Sequence, residues 1–436
     1  MKFGLFLVLN VLVLIRPEEL FPAITGLRLY LVVISLCTLV ALPELLETLS
    51  LDSLRCRPIS VCILLYFAST IVSLCVLGRV SEALFDFGPE FAKVILFYFL
   101  LITIVKGEEQ FRIYILALLV CISVLTIIAL LQHYGYTSFP NIEPAMQREH
   151  DPETGEEYYI PRLVSSGIFN DPNDLCLVLG LGILCCIYLT ATGSLPFILS
   201  ILWLLPVPLF GYAILETHSK GGVLGVLAGL AGYIYSRFGG PKSVPFAAAG
   251  AVACLALIGG RQGNMSGGGT AHERLMMWAD GLENLFRQPL YLPTGLGLGW
   301  FENENGLVAH NSFVQAYIEQ GIFGGGAFLG AFLLAGSMSL RLGKTLPAPG
   351  WTIRARHFGF AVVCAYGIGC YSVTRNTVIP TYLIIGLATL LSEPSAELLP
   401  EKYQVTKWWF RRGTLFSFAG LVGIKYATQL LGMAGV

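Results

Sequence analysis

Apolar runs close to twenty residues long recur along almost the whole chain, separated by short polar connections. An α-helix rises about 1.5 Å per residue, so roughly 20 apolar residues cross the ~30 Å hydrocarbon layer of a bilayer. In lipid every backbone N–H and C=O must find a partner within the chain, which leaves helices or a closed barrel. Runs of this length without strict alternation specify helices. Charged residues make up 13% of the chain and hydrophobic ones 55%, whereas a soluble domain carries about 25% charged residues. The fold class expected is all-α, a polytopic helical bundle in a membrane. The net charge of −1 carries no signal for nucleic acid.

Hydropathy outlines about twelve spans, at about 3–15, 24–43, 59–78, 85–105, 111–133, 168–191, 194–215, 218–236, 243–260, 312–338, 356–375 and 377–391. Residues 1–391 then form a transmembrane domain, and 392–436 a tail. An apolar stretch at 414–434, interrupted by Lys425, reads as one further membrane or interfacial helix. The first run is followed by Arg16-Pro17-Glu18-Glu19, not by a small-residue cleavage site, so it reads as a retained span. Ten of the 11 cysteines lie inside apolar runs, and no zinc-type spacing occurs. Neither a metal site nor another cofactor is implied.

Lysine and arginine set the orientation. With the N-terminus in the cytoplasm, Lys2, Arg55, Arg57, Lys106, Arg112, Arg237, Lys242, Arg341, Lys344, Arg354 and Arg356 fall inside, as do Lys402, Lys407, Arg411 and Arg412. Two long polar loops, 134–167 and 261–311, then fall outside. The second carries Arg261, His272, Glu273, Arg274, Trp278, Asp280, Glu283 and Arg287, and ends at Ala309-His310-Asn311. A polar reactant at the outer membrane surface would meet its chemistry there.

Several side chains at span entrances suit that chemistry. His310 stands at a membrane–water boundary, where an imidazole accepts a proton near neutral pH. Asn311 follows it into the next span. Arg274 lies on a segment, 272–286, whose apolar residues recur every three or four positions, which predicts an amphipathic helix with Met, Trp, Leu and Phe toward lipid or the bundle mouth. A guanidinium there suits a phosphate. Lys220, in His218-Ser219-Lys220-Gly221-Gly222, and Arg162 stand at two other entrances. Asn173 belongs to Asn170-Asp171-Pro172-Asn173-Asp174, where Pro172 suits a helix first turn and Asp171 a cap. Each residue also has a plainer reading: a cap for His310, an ion pair with Glu273 or Asp280 for Arg274, snorkelling for Lys220. Gly295-Leu296-Gly297-Leu298-Gly299-Trp300 lacks the strand context of a dinucleotide site and reads as a flexible turn returning the loop to His310. The acidic run 149–157 reads as a solvated loop, not a calcium site.

Four segments in order resemble the O-antigen ligase and polymerase family of bacterial cell envelopes. They are Arg16-Pro17-Glu18; Gly167-Ile168-Phe169-Asn170-Asp171-Pro172-Asn173-Asp174; His218-Ser219-Lys220-Gly221-Gly222; and Arg274…Trp278…Pro289…Gly295-Leu296-Gly297…His310-Asn311-Ser312…Glu319-Gln320-Gly321. The resemblance centres on about 160–335. It implies a metal-independent glycosyltransferase of the bacterial inner membrane, working on the periplasmic side without a cofactor. It would move a glycan from an undecaprenyl pyrophosphate carrier to an acceptor hydroxyl on a glycan, lipid or protein. Carried onto this chain, His310 would activate the hydroxyl, and Arg274 and Arg162 would hold the pyrophosphate as it leaves. Lys220, Asn173 and Asn311 would complete the substrate contacts. The family commonly has Ser-Arg-Gly where this chain has Ser219-Lys220-Gly221; lysine keeps the charge and loses the bidentate fork. Two rivals stand beside this reading. A polymerase of the same family would join repeat units to one another. A transporter or flippase would need charges paired deep in several spans, for which only Lys93, near Glu90, and Glu319 qualify.

Overall fold

A computed structural model describes residues 1–24, 26–139, 142, 144–150, 156–192, 196–240, 245, 270–392 and 399–433. Its main helices are α1 (Lys2–Leu14), α2 (Leu29–Thr48), α3 (Pro58–Val76), α4 (Phe87–Ile104), α5 (Gly107–His133), α6 (Pro172–Ala191), α7 (Pro206–Glu216), α8 (Lys220–Phe238), α9 (Thr270–Arg287), α10 (Trp300–Asn305), α11 (Ser312–Arg341), α12 (Gly350–Gly369), α13 (Ile379–Ser392) and α14 (Lys407–Met433). Among the described residues seven helices are long and apolar enough to cross a membrane. The chain is a helical, multi-pass membrane protein. The expected span at 243–260, residue 245 apart, and Arg261 lie outside the described residues.

Several expectations need correction. The polar loop 134–167 has regular structure of its own. It carries a hairpin, β1 (Ala145–His150) antiparallel to β2 (Glu157–Arg162), with Ala145 opposite Arg162 and Glu149 opposite Tyr158. Tyr158, Tyr159 and Ile160 supply the strand-forming side chains. The span expected at 356–375 runs instead from Gly350 to Gly369, so Arg375 belongs to a connection. The helix expected at 414–434 in the tail begins earlier, at Lys407, and runs 27 residues as α14.

The chain divides into two compact units, each assembled from separate stretches: 1–45, 100–264 and 350–369 form one, and 46–99, 265–349 and 370–436 the other. In the first, α8 lies against α12 through small residues. A Cβ on Gly225 would come 2.8 Å from the Ala365 carbonyl oxygen, and one on Gly229 2.8 Å from the Ala365 Cβ. Glycines at this spacing let two membrane helices approach closely where no hydrophobic effect drives them together. Gly222 meets Cys176, and Gly180 meets Val226, so α6 and α8 also run close together.

In the second unit the long helix α11 packs against α3, α13 and α14. It is broken at Gly321, whose φ of 67° and ψ of −162° are not helical. An intact helix would bond the amides of 322 and 323 to the carbonyls of 318 and 319. Here a neighbouring segment takes both sides of the break. Ile322 N–H donates to the Leu292 carbonyl at 2.9 Å and Phe323 N–H to that of Pro293 at 3.3 Å. The amides of Leu296 and Gly297 donate to the Ile318 and Glu319 carbonyls at 2.8 and 3.0 Å. Two lost helical bonds are replaced by four. A side chain on Gly295 would overlap the Glu319 carbonyl, and one on Gly321 would lie 2.6 Å from the Leu292 oxygen and the Gly295 nitrogen. The glycine run expected to be a flexible turn is therefore a fixed insert. Arg79 secures it further, donating to the Leu298 carbonyl at 2.6 Å while paired with Glu82.

Candidate functional site

The predicted residues fall into two clusters, one in each unit. In the second unit, α9 forms because its apolar residues line one stripe. Leu275, Met277, Trp278, Leu282 and Leu285 are buried, while Glu273, Asp280, Glu283 and Arg287 face outward. The stripe, expected to face lipid or the bundle mouth, faces protein. It packs into a core with Phe301, Ala309, Val314, Tyr317, Ile318 and Leu421. Trp278 then donates its indole N–H to the Ala309 carbonyl at 2.7 Å, the residue just before His310.

His310 is thus held from both sides. Behind it, Asn311 caps α11, its side-chain oxygen accepting from the amides of Phe313 and Val314 at 3.1 Å each. Between these anchors His310 takes a φ of 51°, a left-handed conformation that costs a non-glycine residue roughly 1–2 kcal/mol. Strain of this kind persists only where the surroundings over-determine it, and it concentrates at functional sites. The imidazole is half-buried.

Arg274 stands one helical turn before Trp278 on the same helix. Its guanidinium is half-buried and makes no hydrogen bond or ion pair among the described residues; the expected alternative, a bridge to Glu273 or Asp280, is not formed there. Burial pulls its pKa down, and an anion brought beside it would restore the lost solvation.

Arg375 was not anticipated, because hydropathy placed it inside a span. Its amide donates to Ser312 Oγ at 2.9 Å, and Ser312 N–H and Oγ donate to the Cys370 and Val373 carbonyls at 2.8 and 2.6 Å. A third basic residue is therefore tied to the entrance that carries His310 and Asn311. The polar interruption Thr374-Arg375-Asn376 between two apolar runs was its signal. Tyr371, edge-on to Trp278 at 5.8 Å, belongs to the same connection.

In the first unit, Arg162, Asn173 and Lys220 come together where two helices begin. Asp171 caps α6, accepting from the Asn173 amide at 2.7 Å. Ser219 caps α8, accepting from Gly222 N–H at 3.0 Å. Ser219 Oγ donates to Asn173 Oδ1 at 2.6 Å and so links the two helix starts. Arg162, at the end of β2, donates through Nε to the Thr217 carbonyl at 2.9 Å and through Nη2 to Asn173 Oδ1 at 3.4 Å. Desolvation pulls its pKa down, against the attraction of Asp171. Lys220 opens α8 with its side chain exposed. Two helix N-termini, each carrying about half a positive charge, and two basic side chains thus converge. That arrangement suits a phosphate group.

The Arg16-Pro17-Glu18 segment adjoins this region. Glu19 accepts from Gly167 N–H, Ser166 Oγ donates to the Ile15 carbonyl at 2.8 Å, and Gly167 has no room for a Cβ beside the Arg16 side chain. Among the described residues no three His, Cys, Asp or Glu side chains converge as metal ligands would.

The chain matches no protein-family model and is significantly similar to no curated protein.

Proposed function

We propose that this chain is an O-antigen ligase-like glycosyltransferase of about twelve spans in a bacterial inner membrane, with its active face in the periplasm. It moves a glycan from an undecaprenyl pyrophosphate carrier to an acceptor hydroxyl. The observation that carries the reading is His310, held in a strained backbone between the Trp278–Ala309 bond and the Asn311 cap, with Trp278 one turn along α9 from the half-buried Arg274 guanidinium, which has no partner among the described residues. A general base needs a fixed position, and a departing pyrophosphate needs positive charge. His310 takes the proton of the acceptor hydroxyl as its oxygen attacks the anomeric carbon, and the sugar–phosphate bond breaks toward the pyrophosphate. Arg274 offsets the charge that develops. Arg162 and Lys220, at paired helix starts in the other unit, suit a phosphate group by themselves, and Asn173 and Asn311 order the two entrances.

The test is transfer from a lipid-linked glycan to an acceptor by the purified protein in the presence of a chelator. His310→Gln is expected to lose about 10²–10⁴ in rate while inserting and folding like the wild type. Retained transfer by His310→Gln removes the base assignment. Loss of wild-type transfer on chelation, restored by Mg²⁺, removes the metal-independent mechanism.

A further inference from the structure

Glu319 is completely buried on α11, a helix long and apolar enough to span a membrane, about two turns in from its outer end. A carboxylate at such a place is costly unless something compensates it. One of its oxygens accepts from Gln315 Nε2 at 3.2 Å. The other, Oε1, has no hydrogen-bond partner, and neither has Oε1 of Gln315. Two acceptor oxygens on adjoining side chains thus lack a donor. Buried polar atoms are nearly always satisfied, and an exception calls for an explanation, a bound ion among them.

The amides of Gly299 and Phe301 and the side chain of Glu302 lie near the Glu319 carboxyl group. No lysine or arginine among the described residues pairs with Glu319. The helix break lies two residues on, at Gly321, and the polar groups continue past it. Gln320, also fully buried, accepts from Tyr66 Oη at 3.3 Å, and Asn376 Nδ2 donates to the same Tyr66 Oη at 2.7 Å. Irregular backbone at membrane depth is tolerated where it is enclosed in protein or lines a polar site. Interrupted helices of this type are where membrane proteins hold small ions.

We propose that Glu319 and Gln315 bind a small monovalent cation beside the break of α11. The ion lies between the two Oε1 atoms, balances the carboxylate and completes its coordination with water. A divalent ion is a poor fit, because it calls for six or more oxygen ligands and usually several carboxylates. The ion's place is structural: it holds charge where Glu319 meets the insert 292–301, and it stands whichever reaction the molecule performs.

The experiment is thermal unfolding of the full chain in detergent micelles, in sodium, potassium or choline chloride at equal ionic strength, with retention of radioactive sodium measured alongside. For the wild type the midpoint is expected to climb with the logarithm of sodium concentration and to stay flat in choline. Glu319→Gln, nearly the same shape without the charge, is expected to lose both the climb and the retained sodium. Gln315→Met is expected to need at least about tenfold more sodium for the same shift, the loss of one ligand at ~1.4 kcal/mol. If Glu319→Gln does not fold, the wild type and Gln315→Met decide alone. Equal stability of the wild type in sodium and choline, with no sodium retained, overturns the proposal and leaves Glu319 neutralised by a proton. A sodium response that survives unchanged in Gln315→Met overturns it too.

Discussion

At the scale of single residues, the positive φ of His310 separates its chemical role from its backbone cost. If His310 is the base proposed, its left-handed conformation is retained against local stability, as strained residues at active sites are. Removing the side chain while keeping a Cβ preserves the strain, and removing the Cβ relieves it. His310→Gly is therefore expected to unfold later than His310→Ala, by about 1 kcal/mol, with transfer lost in both. Equal stability of the two variants, followed by thermal unfolding, would mean that the left-handed geometry is not maintained in solution. Lys220 gives a different test, because its side chain is exposed and its position at a helix start needs only charge. A charge-assisted contact to phosphate is worth roughly 1.5–3 kcal/mol, so Lys220→Ala should lose about tenfold to a hundredfold in transfer. Lys220→Arg should keep most of it. Transfer by Lys220→Ala at the wild-type rate would return this residue to the snorkelling role that its sequence position equally allowed.

At the scale of elements, the break in α11 and the insert at 292–297 form one device, and its glycines answer for it. Alanine at Gly321 meets backbone atoms of Leu292, Pro293 and Gly295 at 2.6 Å and must adopt a φ of 67°. Gly321→Ala is expected to cost on the order of 3 kcal/mol, from strain and overpacking together, and to reduce transfer. Gly413, in α14, has nothing within 4 Å of its missing Cβ, and there alanine should stabilise the helix by up to about 1 kcal/mol. Opposite signs in the two melts are the expected result; a neutral Gly321→Ala would mean that the insert does not dock. This device also shows where the sequence was legible. Apolar length announced the helices, and the three-to-four spacing of α9 announced its buried stripe, because both are local properties. The glycine run gave no such signal. Its partners, Glu319 and Gly321, lie about twenty residues away, and what the glycines permit is a backbone contact that no side-chain pattern records. Arg375 was missed for a related reason: one charge at the edge of an apolar window barely changes a hydropathy average, though the connection from 370 to 378 is what ties it to Ser312.

At the scale of the whole molecule, both units draw on early, middle and late stretches of the chain, so no single cut separates them. The candidate residues are divided in the same way, with Arg162, Asn173 and Lys220 in one unit and Arg274, His310 and Asn311 in the other. All six stand at span entrances or on the loops leading to them, and the proposed reaction needs those entrances on the side where the carrier-linked glycan is presented. The charge distribution makes that requirement checkable. Lys344 follows α11 and Arg354 lies in the first turns of α12, within a connection rich in Lys and Arg, while Thr270 opens α9 within the polar loop 261–311. Positively charged short connections stay in the cytoplasm. A reporter fused at Lys344 should accordingly read as cytoplasmic and one fused at Thr270 as periplasmic. α11, 30 residues long, joins the two sites, and at about 1.5 Å per residue it is long enough to carry the chain across the hydrocarbon layer. If both fusions read on the same side, α11 does not cross as a span. If Thr270 alone reads as cytoplasmic, His310 faces the wrong compartment, and a glycosyl transfer from a periplasmic carrier is not the reaction this molecule performs.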